Sequence, residues 1–132
     1  MDIKGYMYKL LEDLDREGFI LQYYRAFSTS SCYIKLDYGV SNSIRIADHE
    51  GIEKYHYRFN LMLNLDKSYQ KDGRFYYCIK DYHKLLSDIN KFRDEQFDKY
   101  GFNYYTLMLD NKNAAKNRKG FWQNAKNYND KF

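Results

Sequence analysis

Three groups of residues in this 132-residue chain carry side chains able to do chemistry. The first is Asp48-His49 with His56 seven positions on. A carboxylate with imidazoles can hold a metal or serve a small nuclease. This spacing does not place three ligands together, however, and no paired cysteines or histidine-bearing helix follow. An Asp-His pair at a strand end more commonly bonds the backbone of its own turn. His83 has no companion in the sequence. The second group is the two thiols, Cys32 and Cys78. Neither sits in a nucleophile context, and the chain has no serine-centred elbow or phosphate-gripping glycine loop. Catalysis, a cofactor, a metal and a small-molecule substrate are therefore not expected.

The third group mixes cations with rings. Tyr33, Lys35, Arg45, His56, Arg58, Arg74, Tyr76 and Lys80 fall on one side of strand-like alternation, with Asp37 the only carboxylate among them. Such a face binds phosphates through its cations and stacks bases on its tyrosines. The plainer alternative is a polar sheet face turned to water. Nearer the C-terminus, Lys116, Arg118 and Lys119 interleave with Phe121 and Trp122. That segment either docks on nucleic acid or an acidic protein groove, or it tucks Trp122 into the core.

Periodicity indicates the elements that must position these residues. Asp2 to Glu17 reads as an amphipathic helix with Ile3, Met7, Leu10, Leu11 and Leu14 on one face and Gly18 as its stop. Phe19 to Phe27 reads as a strand, and Ser28 to Leu65 as three more. In Cys32–Tyr38 and Ser43–Asp48 apolar residues alternate with polar ones. In the third run Tyr55, Tyr57, Phe59, Leu61, Leu63 and Leu65 oppose His56, Arg58, Asn60 and Met62. Gly39 and Gly51 mark turns. Asp66 to Gly73 is a polar connection ending in the hairpin signal Asp72-Gly73, after which Phe75, Tyr77 and Ile79 continue the alternation. Asp81 caps a second helix that runs to Tyr100 and ends at Gly101. Phe102 to Leu109 alternates as a short strand. Asn111 to Tyr128 has a helical pattern weakened by Gly120 and five asparagines, so it is expected to order on a partner.

The expected fold is α+β: an antiparallel meander sheet of five to six strands, two helices packed on one face, and a basic C-terminal helix or tail. Residues 1–109 form a single α+β domain and residues 110–132 the basic aromatic helix or tail. Length suits one core without staples. No apolar run approaches membrane-spanning length, and no leader is visible, so an intracellular protein is expected. Two cysteines are too few for a disulfide scaffold. Aromatic content is 20%, from 16 Tyr, 9 Phe and 1 Trp, and tyrosine is a residue of recognition surfaces. The net charge of +4 is all C-terminal, because residues 110–132 hold six Lys/Arg against two Asp/Glu and the preceding residues balance.

A resemblance adds to this reading. Ser28-x-Ser30, then Tyr33-Ile-Lys-Leu36, a short glycine-containing turn and Ile44-Arg-Ile-Ala-Asp-His49 resemble a phage motif. In that motif a serine-rich entry and a Tyr-led strand precede an I-R-[IL]-S-[DN]-H strand. It is similar to small phage-encoded anti-CRISPR proteins, notably type II-A Cas9 inhibitors. Ala47 stands where the motif has serine, and the basic segment here is C-terminal rather than an N-terminal arm. The resemblance implies a non-enzymatic inhibitor in the cytoplasm of an infected bacterial host, with a CRISPR effector nuclease or its guide RNA as partner. The rival readings are a nucleic-acid-binding accessory protein acting without a protein partner and, third, a nuclease built on Asp48, His49 and His56.

Overall fold

The computed structural model describes residues 2–26, 31–47, 57–63, 68–71, 73–115 and 124–131. The first helix, α1 (Ile3–Arg16), starts where Asp2 accepts a hydrogen bond from the Gly5 amide at 2.8 Å. This satisfies one of the amide donors that every helix start leaves open. It ends where Gly18 takes φ +84°, letting the Phe19 amide reach back to the Leu14 carbonyl. Its apolar stripe is buried as the spacing predicts, with Met7, Leu10, Leu11 and Leu14 fully enclosed. Truncating any one of these leucines to alanine should cost about 2–5 kcal/mol.

Seven strands follow: β1 (Leu21–Arg25), β2 (Cys32–Leu36), β3 (Ser43–Ala47), β4 (Phe59–Met62), β5 (Tyr69–Lys71), β6 (Arg74–Cys78) and β7 (Lys126–Asn127). They form one sheet in the order β5-β6-β4-β3-β2-β1-β7. The α+β class is as expected, but the sheet is mixed, not an antiparallel meander. β3 pairs with β4 in parallel, and so does β4 with β6. Parallel neighbours need a crossover of about a dozen residues. Residues 48–58 and 63–73 are long enough to supply one each. The second of these contains β5, which pairs antiparallel to β6 across the two-residue Asp72-Gly73 connection, with Gly73 at φ +77°.

Helices α2 (Tyr82–Tyr100) and α1 pack on the same sheet face, as expected. Leu85 and Ile89 of α2 share one core with the α1 stripe and with Leu21, Ile34, Ile44, Phe59, Leu61 and Tyr77. A third helix, α3 (Asn103–Ala115), replaces the strand expected over Phe102–Leu109. Tyr104 and Met108, four residues apart, are its buried positions, whereas Tyr105 and Leu109 are exposed. The chain then returns, and β7 pairs with β1 at the sheet edge. Cys32 and Cys78 are free, buried thiols. They lie on opposite sheet faces, three strand spacings or roughly 14 Å apart across the sheet, beyond disulfide reach.

The far sheet face is not the open surface that alternation suggested. Tyr33 and Tyr76 are only 3% exposed, Arg45 5%, Arg74 7% and Lys35 8%. Tyr33 packs against Tyr57 with ring centroids 5.0 Å apart, Tyr76 stacks on Tyr69 at 4.6 Å, and Arg45 donates to the Ser31 hydroxyl at 3.2 Å. None of these five side chains is without a partner. The expectation failed because alternation identifies two faces without saying whether a second layer covers the polar one. Buried cations survive only when they are paired or hydrogen-bonded.

Candidate functional site

Two polar clusters organise the molecule. The first surrounds Asp37, which is 0% exposed. It sits in a tight turn where Asp37, Tyr38 and Gly39 all have positive φ, a conformation costly for side-chain-bearing residues. The turn persists because Asp37 is saturated. One carboxylate oxygen accepts from the Ile20 amide at 2.8 Å, and the other from Arg93 Nε at 2.8 Å and from the Tyr104 hydroxyl. Arg93 also donates to the Glu17 and Gly18 carbonyls at 3.2 and 3.1 Å, and its guanidinium lies 4.2 Å from the Phe19 ring centroid. Tyr104 shares a further hydrogen bond with Ser41 at 2.8 Å. Burial first, then the adjacent Asp37 charge, pushes the Tyr104 phenol up, so it remains a donor.

Next to this cluster the chain end is tied down. Tyr38 donates to Asp130, Lys112 pairs with Asp130 at 2.8 Å, and Asn129 bridges the Leu21 amide and the Phe19 carbonyl. These bonds join α1, β1, the turn, α2, α3 and the strand β7 at one corner. Every charge is matched, so the cluster is structural.

The second cluster is the groove that the first one makes possible. Placing β7 beside β1 leaves a cleft of about 500 Å³ against the outer edge of α1. Lys4 and Tyr8 reach it from α1, one helical turn apart; Tyr23, Tyr24, Arg25 and Ala26 from the end of β1 and just beyond it; Asn124 from just before β7; and Lys126 from β7 itself. Lys126 stands directly across from Tyr23 in the β1–β7 register. Tyr8 meets Tyr23 edge-on with centroids 6.2 Å apart, and Tyr23 meets Tyr128 at 6.3 Å. Burial, followed by the Tyr8 and Tyr128 phenols, raises the Tyr23 pKa and keeps its hydroxyl protonated.

The described lining of this groove is cationic. No carboxylate lines the groove among the described residues, and none of Lys4, Arg25 and Lys126 has an ion-pair partner there. Beneath it, opposite Arg25, burial pushes the Cys32 thiol up to about 11 despite the opposing pull of that arginine. A thiol in that state is not a nucleophile at neutral pH. The groove therefore offers cations, phenol donors and ring faces, which is chemistry for holding an anion beside a planar group.

The residues singled out from sequence are distributed differently. Tyr33, Lys35, Arg45, Arg74 and Tyr76 are on the enclosed face described above. Arg58 is on the opposite side from Arg45, because the alternation breaks at a bend before β4. Its guanidinium lies 4.4 Å from the Phe92 ring centroid and 5.1 Å from that of Phe75, in a cleft of about 290 Å³ under α2. Tyr57 makes the complementary exchange and packs on Tyr33. Asp37 belongs to the buried corner, and the Asp81 carboxylate accepts from Ser68 and Cys78 instead of capping α2 with its side chain. His56, Lys116, Arg118, Lys119 and Trp122, like Asp48 and His49, lie outside the described residues.

Among the described residues no group of three His, Cys, Asp or Glu side chains could hold a metal ion, and no helix is long and apolar enough to cross a membrane. The groove residues had one legible signal, the pair Lys4 and Tyr8 on the solvated side of α1 at helical spacing. Nothing in the sequence placed β7 beside them. Comparison of the chain with models of known protein families, with characterised proteins and with solved structures returns no match.

Proposed function

We propose that this protein is a non-enzymatic inhibitor of a bacterial CRISPR nuclease that acts by engaging the guide RNA held by the effector. The observation that carries this reading is the convergence of Lys4, Arg25 and Lys126 around tyrosine rings with no carboxylate lining the groove among the described residues. Three cations converging on a concave wall attract a polyanion, and the rings give it planar groups to rest on. The Ile44-to-His49 segment supports the choice of target through its resemblance to phage-encoded CRISPR inhibitors. Co-expression with a guide-loaded type II-A effector tests it. The protein should co-purify with the complex and suppress target cleavage, and the variant carrying Lys4→Ala, Arg25→Ala and Lys126→Ala should do neither. Full inhibition by that variant would overturn the assignment of the groove.

A second reading rests on the same groove: an accessory protein that binds nucleic acid without any protein partner. It predicts equal affinity for naked and effector-bound RNA. The first reading predicts that the guide-loaded effector retains the protein more tightly than the free RNA does.

A further inference from the structure

Resting on that reading of the groove, we infer that its occupant is single-stranded nucleic acid, taken with one base laid against Tyr8 and the flanking phosphates on Lys4, Arg25 and Lys126. The geometry favours this over a duplex for two reasons. First, the cleft of about 500 Å³ has the size of a ligand pocket, and its cations come from three separate elements that converge on a concave floor. A duplex presents its phosphates on a convex cylinder and hides its base faces in the stack, so it could touch only the rim. An unpaired strand can lower a base and its phosphate together.

Second, the rings are placed for stacking. Tyr8 is 43% exposed and is held edge-on by Tyr23, which leaves a face of its ring accessible beside the cations. Tyrosine faces accept any base, and among the lining residues only the Asn124 amide offers a donor and acceptor pair suited to a base edge. Recognition is therefore tolerant of sequence and selective for unpaired strand, as found at the ends and loops of a folded RNA.

The test is fluorescence anisotropy of the full chain with a labelled short oligo-uridylate and with a hairpin duplex of the same length, across a salt series. The expected result is preference for the single strand by about tenfold or more, with a slope of log affinity on log salt near −2, roughly 0.7 per phosphate for three contacts. Tyr8→Ala should weaken the single strand about tenfold and leave the slope unchanged, whereas Lys126→Ala should lessen the slope by about 0.7. Tyr8→Phe, which keeps the ring, should bind normally. Equal or tighter binding of the duplex, unchanged binding by Tyr8→Ala, or no binding of either oligonucleotide would overturn the inference. The inhibition assay on the triple charge variant reports separately: its loss with no oligonucleotide binding leaves the groove as a contact for the effector protein itself.

Discussion

Two corners of this molecule use the same residue types to opposite ends. Around Asp37, a partly buried arginine and a buried tyrosine close on a fully buried carboxylate, and each polar atom named above has its partner. In the groove, an arginine, two lysines and exposed tyrosine surface stand together with no carboxylate among the described lining residues. The difference is between a saturated framework and a groove with a cationic lining. Matched charge in a low-dielectric site holds elements in register and is expensive to disturb. Unmatched charge at a concave surface contributes little to stability and leaves a field for a partner to neutralise.

The comparison breaks first at Asp37. Asp37→Asn keeps the shape and the tolerance for positive φ but leaves the partly buried Arg93 without its counter-charge. It should cost about 3 kcal/mol in urea unfolding. Arg93→Met should cost a similar amount, and the double variant less than the sum, because the second change removes the stranded partner. Strict additivity would mean that the pair is not coupled. The groove should behave in the reverse way. The triple variant of Lys4, Arg25 and Lys126 should unfold within about 0.5 kcal/mol of the parent while losing single-strand affinity at least tenfold at low salt.

Alkali distinguishes the corners more gently. Cys32 is raised to about 11 from an ordinary value of 9.0, so both folded and unfolded chains are protonated below pH 9 and stability is flat there. Above that pH the unfolded chain releases the proton while the folded one keeps it, and stability falls until the folded thiol also ionises. Tyr38, Tyr77, Tyr82 and Tyr104, all raised by burial and a neighbouring carboxylate, extend the fall above pH 10. Cys32→Ala should flatten the portion between pH 9 and 11, a difference of at most about 3 kcal/mol in unfolding free energy. The smallest effect belongs to the surface. Lys84→Ala breaks an exposed i,i+4 pair with Asp88 at 3.1 Å and should change stability by less than about 0.5 kcal/mol.

Much of the framework was legible in the chain, and the failures have physical causes. The α1 stripe and its Asp2 cap, the turn at Gly39 and the end of α2 at Gly101 follow from local rules of period and capping, which need no knowledge of distant residues. Phe102 to Leu109 misled because an aromatic-rich run satisfies period two and period four at once. Packing of Tyr104 against the Asp37 corner decided for helix. The parallel pairings of β4 were invisible because strand pattern carries no direction. The site was least legible of all. Arg93 falls between Ile89 and Phe97 on the inner stripe of α2, so a cation in an apolar row was the available hint of a buried acceptor. Asp37, judged from alternation, lay on the wrong side. The groove depends on Lys126 meeting Tyr23 over a hundred residues away in sequence, a contact no local rule anticipates.

The most direct test is to carry the Lys4, Arg25, Lys126 triple variant and Asp37→Asn side by side through urea unfolding and through capture of a guide-loaded effector. The expected result is a crossed pattern, with the triple variant as stable as the parent but unable to retain the effector, and Asp37→Asn destabilised yet still retaining it under conditions where it is folded. A triple variant that unfolds as readily as Asp37→Asn, or that holds the effector undiminished, would contradict the division of labour between the two corners.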